Sequence, residues 1–583
     1  MLQYKVVAAF LNDAESTAKK NEIVQIIAEL IKKMDKKEIK KGIYLLKGRT
    51  DADYKTEPLG IAESLVIKTL SLLSGETESE VEAQYHKTGD LGTVAEFLCK
   101  KKRQNVLFSE TLTIDKVYSN FKQISTSSGK NSQNLKIKYL LDLLSSAEPL
   151  EAKYIVRTVI GKLRLGMADM ILINAIAKAF IENSEEYHYV ERGYNLTMDI
   201  GYVSEVLASE GINGLKKIEP EPGIPIRVML AERAETIEEI VTHIKLPAVV
   251  EYKYDGLRLQ MHLSNGNVYL YSRGGDIVTE QYPEIVEAVK KEFKTIKNMI
   301  VDGELVPVDA KTGKLMPFQQ ISRRRGRKYD ILETSENIPV QYFVFDILYY
   351  NDQSYIDKPF AERRKVVLDL FDNMNDKLKH VNGIIASSIE EIYTFFENAV
   401  NDNCEGVMVK SISDGSVYDA GARGWLWIKY KKDYTAGLSD TVDLVIVGAF
   451  FGHGKRSNLY GAFLLACYNK ENGTFETACK VGTGFNDEDL MKFTELMNKY
   501  LINYKDEHVI SKIETDVWFL PEVVIEVTGA EITVSPNHTC GSSDSSGSGF
   551  AIRFPRYTGR LREDKRAVDA TTTEEIVKMY GKQ

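Results

Sequence analysis

Cysteine is scarce in this chain of 583 residues, and no two of its five cysteines form a C-x-x-C pair. Zinc ribbons and disulfide frameworks need closely spaced cysteines, so the sequence favours neither. No uncharged apolar run reaches the roughly 18 residues that a membrane span requires. The first residues lack the basic leader and the cleavage site of a signal peptide. We therefore expect no membrane segment and a reducing, cytoplasmic setting.

An excess of positive charge is also missing. Lys and Arg number 75 against 84 Asp and Glu, which gives a net charge of −9. This balance disfavours a protein that coats nucleic acid through its overall charge, but it permits an enzyme with local basic patches. Hydrophobic residues make up 43% and charged residues 27%, as in ordinary globular proteins. At roughly 150 residues per domain, the length predicts three or four domains.

The pattern of apolar and polar residues changes twice along the sequence. Apolar residues recur at helical spacing in the first part, for example at 22–36 and 62–73. A proline-rich connector, PEPGIP at 220–225, precedes a region of strand-like alternation, such as VVEYKYDGLRLQMHL followed by an NGN turn. Short strands and glycine turns begin again at DLVIVGAFF. We predict a multidomain α+β protein with an all-α domain (1–219), a mixed α/β domain (220–435) and a small β-barrel (436–583).

A lysine stands where a nucleophile could act. In EYKYDG, alternation places Glu251, Lys253 and Asp255 on one face of a strand, and Asp255-Gly256 ends that strand in a turn. One interpretation is a half-exposed strand with a solvated ion pair. The other is a nucleophilic lysine at the edge of a cleft. An amine attacks only when neutral, and cationic neighbours or desolvation lower its pKa, so basic residues would suit such a site.

Further fragments follow in order over about 180 residues: KYDGLR, SRGG, DGE, FDIL, EGVMVK and WIKYKKDY. Singly, each could be a surface turn, a core strand or a solvated face. Together they resemble the covalent nucleotidyltransferase superfamily, which comprises ATP-dependent DNA ligases, RNA ligases and mRNA capping enzymes.

Two other regions narrow the resemblance. RFPRYTGRLREDK near the end is similar to the last ligase motif, and HKTGDLGTVAE and GKLRLGMAD resemble the DNA-binding domain of archaeal replicative-type DNA ligases. The resemblance implies a helical DNA-binding domain, an adenylation (nucleotidyltransferase, ATP-grasp-like) domain and an OB-fold barrel. Arg157, Lys162 and Arg164 remain open between ordinary helix-surface charges and contacts to DNA.

The resemblance also implies a mechanism. Lys253 attacks the α-phosphate of ATP, the AMP passes to the 5′-phosphate at a nick, and the 3′-hydroxyl then displaces AMP. Glu304 and Glu405 would hold Mg²⁺, with the ribose as the alternative partner of Glu304. Glu251 would receive the amino group of adenine, directly or through nearby backbone, and Phe345 would stack on the base unless it is a core residue. The full set of nucleotide-binding candidates is Glu251, Arg258, Arg273, Glu304, Phe345, Arg423, Lys429, Lys431, Arg562 and Lys565, with Lys410 a weaker one.

The expected partners are nicked double-stranded DNA and ATP, with a sliding clamp as a further candidate and a monomeric chain. Alternatives are an RNA ligase or capping enzyme, an NAD-dependent ligase, and a non-catalytic DNA-binding scaffold. A P-loop is rejected because GAFFGHGKRS lacks the required glycine and Ser/Thr. The basic patch RRRGRK (323–328) is predicted to face the DNA backbone, with a solvated loop as the alternative. His538 and Cys540 are too few ligands for a metal site.

Overall fold

The described part of the first 215 residues is mainly helical. The computed structural model describes residues 1–581 except 18, 56–58, 60, 101–110, 130, 162, 164–168, 323, 325–334, 336, 373, 375, 432–440, 453–455, 457 and 543–547. It divides into two units, Met1–Lys429 and Tyr430–Gln583. In the described part, no helix is long and apolar enough to cross a membrane.

The helical region shows the predicted one-sided apolar spacing. In α2, Ile23, Ile27, Leu30 and Ile31 are buried, at the intervals of one helix face. The helices are α1 (Tyr4–Glu15), α2 (Lys20–Lys32), α3 (Ile39–Lys47), α4 (Glu63–Ser74), α5 (Glu78–Thr88), α6 (Leu91–Cys99), α7 (Ile114–Thr126), α8 (Ser132–Ser146), α9 (Pro149–Val159), α10 (Asp169–Phe180), α11 (His188–Thr197), α12 (Ile200–Glu210) and α13 (Ile212–Leu215).

A buried ion cluster joins α1, α6 and α9. The Arg157 side chain is 4% exposed; its Nη2 lies 2.6 Å from Oδ2 of Asp90, and its Nη1 lies 2.8 Å from Oε2 of Glu15. Lys153 contacts the same Glu15 oxygen at 2.9 Å. Arg157 is therefore neither a surface charge nor a DNA contact but a structural arginine. Lys162 and Arg164 lie outside the described residues.

Glycine at position 92 permits this cluster to form. A Cβ there would lie 2.6 Å from Cγ of Arg157 and 2.8 Å from the carbonyl oxygen of Lys153, so α6 and α9 can approach this closely only at a glycine. Asp90 also caps α6 by accepting from the Gly92 N–H at 3.0 Å. HKTGDLGTVAE and the helix leading into GKLRLGMAD are thus the two sides of one helix contact.

The mixed region contains two sheets. The first has the strand order β1-β11-β10-β2-β9, and the second β4-β3-β5-β6-β7 with β8 beside β6. Their strands are β1 (Leu230–Arg233), β2 (Ala248–Lys253), β3 (Leu257–Ser264), β4 (Asn267–Ser272), β5 (Asn298–Pro307), β6 (Val340–Tyr350), β7 (Gln353–Ser354), β8 (Leu378–His380), β9 (Gly383–Ala386), β10 (Gly406–Lys410) and β11 (Arg423–Lys431). The helices among them are α14 (Ile237–His243), α15 (Pro283–Glu292), α16 (Phe318–Ser322), α17 (Phe360–Phe371) and α18 (Ile389–Asn401).

The alternation predicted from the sequence holds in the second sheet. Leu259, Met261 and Leu263 of β3 enter an apolar core that includes residues of α15 and α17, which leaves Arg258 on the opposite face. The NGN turn is confirmed as the β3–β4 hairpin, with Asn265 and Gly266 both at positive φ (49° and 81°). In contrast, β2 is buried on both faces up to Lys253, so the interpretation of a half-exposed strand is wrong.

The basic patch 323–328 differs from its prediction at the one position that is described. Arg324 is 2% exposed, and its Nη1 lies 2.6 Å from Oε1 of Glu284. Its other donors reach the carbonyl oxygens of Gln281 and Ile338. Arg324 therefore cannot face the DNA backbone here, and the prediction is wrong for this residue because its charge is neutralised inside the fold. The other five positions lie outside the described residues.

The second unit is rich in strands, as predicted. Strand β12 (Val442–Phe451) pairs with β13, β17 and β18, and it is buried on both faces over most of its length. The remaining elements are β13 (Tyr460–Asn469), β14 (Thr474–Val481), α19 (Asp487–Met497), β15 (Leu501–Ile502), β16 (Val509–Ile510), β17 (Val517–Phe519), β18 (Val524–Thr528), β19 (Glu531–Ser535), β20 (Gly549–Arg553), β21 (Arg556–Leu561) and α20 (Thr573–Tyr580).

The cluster around Arg157 predicts a pH-dependent stability. Partial burial alone would raise the pKa of Glu15, but hydrogen bonds from Arg157, Tyr154 and Lys153 outweigh it and lower the pKa to about 2. A carboxyl whose pKa is lowered by folding stabilises the protein above its unfolded pKa and loses that contribution as the pH falls through the folded pKa. We expect Glu15→Gln to lower the melting temperature at pH 7, because it leaves a buried arginine half-paired.

Calorimetry across the pH range tests this expectation. The difference in melting temperature between the wild type and Glu15→Gln should be full above about pH 4.5 and should shrink toward pH 2. The exposed Glu182→Gln serves as the control and should melt like the wild type at every pH. A Glu15→Gln difference that is independent of pH would contradict the role of this carboxylate.

Candidate active site

Lys253 is the last residue of β2, and its neighbour across the sheet is Gly406 of β10. The Glu405 N–H donates to the carbonyl oxygen of Lys253 at 2.8 Å, which aligns the two side chains. The Nζ atom of Lys253 lies 2.6 Å from Oε2 of Glu405, and the two side chains are 23% and 20% exposed. The register of β2 and β10 therefore joins KYDG and EGVMVK through one ion pair.

The turn after Lys253 packs against the DGE strand. A Cβ at Gly256 would lie 2.4 Å from the carbonyl oxygen of Leu305 and 3.0 Å from Cγ of Glu304. No other residue fits this approach without moving β5, which explains the glycine in KYDG. The turn thus brings Glu304 toward Lys253.

The second sheet supplies the facing wall of charged side chains. Arg258 of β3 stands directly opposite Glu304 of β5. Arg258 also holds the buried Asp302 with two hydrogen bonds, Nε to Oδ1 at 3.1 Å and Nη2 to Oδ2 at 2.6 Å, and its Nη1 donates to the carbonyl oxygen of Met229. This pairing fixes the guanidinium beside the Phe345 ring, with its Cζ 5.2 Å from the ring centroid.

The electrostatics around Lys253 differ from the sequence-based expectation of cationic neighbours. Burial would lower the pKa of Lys253, but the carboxylates of Glu405 and Glu304 outweigh it and raise the pKa above the ordinary lysine value. Burial in turn raises the pKa of Glu304 to about 7, although Lys253 and Arg258 oppose the shift. Without nucleotide, the amine is therefore held protonated by the carboxylates.

Glu251 lies deeper in the same face of β2 as Lys253. Its Oε2 is 2.7 Å from Nζ of Lys410, and its Oε1 is 3.6 Å from Nε of Arg364. Lys410, 1% exposed, also lies over the Phe345 ring, with Nζ 4.8 Å from the centroid. The Glu251 carboxylate is thus buried between two cationic side chains. Lys410, the weaker phosphate candidate, is engaged with Glu251 in this structure.

Phe345 is half-buried in β6, so it is not simply a core residue. Arg258 and Lys410 both lie within about 5 Å of its ring centroid, and the Trp427 ring meets it edge-on at 6.0 Å. A partly open aromatic ring beside a buried carboxylate is suited to a flat heterocycle with an amino group.

The remaining candidates lie after β4, on β11 and in the second unit. Arg273 is exposed in the turn after β4, and Arg423 is exposed at the start of β11. The prediction that Lys429 and Lys431 stand two apart on a strand is confirmed, since both are half-buried in β11. Arg562 and Lys565 belong to the second unit, where both contact Asp443.

Sequence reasoning missed Arg364, Asp302 and Tyr418 as members of this site. Tyr418 donates to Oδ2 of Asp302 at 2.7 Å, and Arg364 faces Glu251 from α17. Asp302 was visible in DGE, and its alternation with Glu304 could have indicated a shared face. Nothing in the sequence pairs position 364 or 418 with the site, because only the tertiary fold brings them near.

The carboxylates near Lys253 suit a hard cation that is only partly held by protein. Among the described residues, no group of three or more His, Cys, Asp or Glu could hold a metal ion. The carboxylates of Glu304 and Glu405 both raise the pKa of Lys253. Mg²⁺ is commonly bound by one or two carboxylates, with water and substrate phosphates completing its shell, so this donor set fits it.

Comparisons with known proteins agree with this geometry. Three family models match: "DNA ligase N terminus" over residues 3–177, "ATP dependent DNA ligase domain" over 228–431 and "ATP dependent DNA ligase C terminal region" over 456–565. DNA ligase 2 of Thermofilum pendens and the DNA ligase of Thermoplasma volcanium are each 42% identical to this chain, covering 100% of it and 98% of the relative.

A solved structure named "Pmar-Lig_Pre" matches with a TM-score of 0.57 and 15% identity, covering 95% of this chain and 99% of that one. At that identity the likeness concerns the fold alone, and it confirms the predicted order of a helical region, an adenylation region and a β-rich region. The motifs, the ion pair at Lys253 and the full-length relatives lead to one conclusion: the chain belongs to the ATP-dependent DNA ligase family.

Proposed function

We propose that this DNA ligase seals nicks in double-stranded DNA through a covalent adenylate on Lys253, in DNA replication, recombination and repair. The observation that carries the proposal is the Lys253 amine at the end of β2, 2.6 Å from Glu405 and beside Glu304. Nζ forms a bond to the α-phosphorus of ATP, and the bond to pyrophosphate breaks. AMP then moves to the 5′-phosphate of the nick, and the 3′-hydroxyl displaces it.

The amine must lose a proton before it attacks. Glu405 is the proposed acceptor, because its Oε2 lies 2.6 Å from Nζ. Mg²⁺ on Glu304 and Glu405 would neutralise charge on the phosphate oxygens. Once those carboxylates are engaged, they hold the lysine proton less strongly, so loading of the site and activation of the amine are coupled.

Adenine recognition is proposed for Glu251 and Phe345. The carboxylate oxygens of Glu251, which pair with Lys410 and Arg364, are hydrogen-bond acceptors, which suits the amino group of adenine and not the carbonyl oxygen of guanine. Phe345 would stack on the base. The ribose and phosphate contacts are proposed for Arg258, Arg273, Glu304, Arg423, Lys429, Lys431, Arg562 and Lys565.

We propose the domain bounds 1–219, 220–435 and 436–583 for the DNA-binding, adenylation and OB-fold domains. All three would contact the duplex, because a nick in paired DNA must be held from several sides. A monomeric, cytoplasmic enzyme that docks on a sliding clamp completes the proposal. An RNA ligase or a capping enzyme would not need the helical region that the family models match.

The lysyl adenylate is tested by labelling. Wild-type protein with Mg²⁺ and α-labelled ATP should gain one AMP, in an acid-sensitive bond that maps to the peptide of Lys253. Lys253→Arg keeps the positive charge beside Glu405 but lacks a nucleophilic amine, so it should fold and remain unlabelled. The exposed Lys245→Ala is the control and should label normally. Label on another peptide would refute the assignment.

Metal binding should depend on pH near neutrality. Because the pKa of Glu304 is raised to about 7, Mg²⁺ must displace a proton below that pH. The apparent Mg²⁺ affinity should therefore rise with pH up to about 7 and level off above it. Titration calorimetry in buffers of different ionisation enthalpy measures the released proton. Glu304→Gln should abolish the pH dependence, and Glu280→Gln should preserve it.

The nucleic-acid substrate is tested by sealing assays. Nicked duplex DNA should be joined, and nicked duplex RNA should be joined far more slowly. DNA affinity should fall by about 10³ or more between 50 and 200 mM salt if six to ten phosphates are contacted, with little dependence on sequence. Faster RNA sealing would favour the RNA ligase alternative, and a salt-independent affinity would contradict the proposed phosphate contacts.

A further inference from the structure

Two cations of the second unit converge on one carboxylate oxygen. Nη1 of Arg562 and Nζ of Lys565 each lie 2.7 Å from Oδ2 of Asp443. The two nitrogens can therefore lie no farther apart than twice that distance. Like charges at such a separation repel each other, and the shared anion offsets this repulsion, with Oε2 of Glu526 also lying 3.9 Å from Nη1 of Arg562. Asp443 and Arg562 are nearly buried, with side chains 11% and 13% exposed.

The position of Asp443 is fixed by backbone. Asp443 lies in β12 opposite Glu526 of β18. Its N–H donates to Oγ1 of Thr571 at 2.9 Å, and its carbonyl oxygen accepts from the Thr571 N–H at 2.8 Å. Because Asp443 lies on a rigid strand, its carboxylate can hold the longer side chains of Arg562 and Lys565 in place.

The cations keep further donors beyond those that bind the described residues. Arg562 uses Nε and Nη2 for Asp564, both at 2.9 Å, and one N–H of Nη1 for Asp443. A guanidinium has five N–H donors and an ammonium has three. Asp564 is 63% exposed, so its pairing with Arg562 is open to exchange with solvent. Arg562 and Lys565 can therefore donate further hydrogen bonds to a ligand while both stay in contact with Asp443.

We propose that Asp443 is a positioning residue that assembles Arg562 and Lys565 into a two-cation clamp for the β- and γ-phosphates of ATP. This inference rests on the proposed function, in which both cations contact nucleotide phosphates. Paired cations at a fixed spacing match the oxygens of a polyphosphate better than two independent side chains do. Pyrophosphate, the leaving group, should use the same clamp in the reverse reaction.

The clamp concerns only the step in which a polyphosphate is present. Formation of the lysyl adenylate releases pyrophosphate, whereas the sealing of an already adenylated nick involves AMP alone. Loss of Asp443 should therefore weaken the use of ATP and of pyrophosphate and should leave the sealing of a pre-adenylated nick unchanged. A merely structural role would impair all of these reactions together.

The experiment uses the full chain with three variants. Asp443→Asn removes the shared charge and keeps the side-chain shape, and Asp443→Glu keeps the charge on a carboxylate displaced by one methylene. The exposed Glu495→Gln of α19 is the matched control. For each we would measure the rate of self-adenylation against ATP concentration, the discharge of the adenylated enzyme by inorganic pyrophosphate, the sealing of a pre-adenylated nick without ATP, and the melting temperature.

Asp443→Asn should raise the half-saturating concentrations of ATP and pyrophosphate about ten-fold, with sealing of the pre-adenylated nick within two-fold of wild type. Asp443→Glu should raise these half-saturating concentrations less. If Asp443→Asn does not fold, the result for Asp443→Glu tests the proposal alone. Unchanged or tighter use of ATP overturns the proposal, as does an equal loss in all three reactions. Failure of the wild type to label with ATP would instead refute the proposed function.

Discussion

The ion pair between Lys253 and Glu405 is the interaction on which the site depends. It exists because β2 and β10 pair antiparallel, with Gly406 opposite Lys253, so that two motifs about 150 residues apart share one edge. The same carboxylate that steadies the amine also keeps it protonated. In the proposed mechanism, the amine stays protonated until a nucleotide and its metal change the balance of charge around it.

The other charged side chains of the site are also held by oppositely charged partners. Glu251 is flanked by Lys410 and Arg364, and Arg258 by Asp302, so the charges that would meet a nucleotide are each oriented by an opposite charge behind them. Buried pairs of this type are costly in desolvation and are retained where their geometry is needed. The apolar side of the second sheet, packed on α15 and α17, provides the rigidity that such geometry requires.

Local pattern predicted much of this architecture. Alternation predicted β3 and the face that carries Arg258, the NGN turn predicted a hairpin, and the ordered motifs predicted the family. The sequence could not predict which charged residues that are far apart along the chain form contacts in the fold. Arg157 has the charge of a surface residue, and only the meeting of α1, α6 and α9 buries it between Glu15 and Asp90. Likewise, the nearest partners of Lys253 are carboxylates, because strand register and not composition selects its neighbours.

The contact between Gly92 and Arg157 sets a limit on how this family can diverge. Shortening the side chain at 157 would relieve only part of a clash at 92, because the other obstacle is the backbone oxygen of Lys153. No exchange of side chains alone can therefore compensate for a larger residue at 92. Helices α6 and α9 would first have to move apart. Gly92, Arg157 and the two acids around the arginine are therefore expected to be inherited together or lost together.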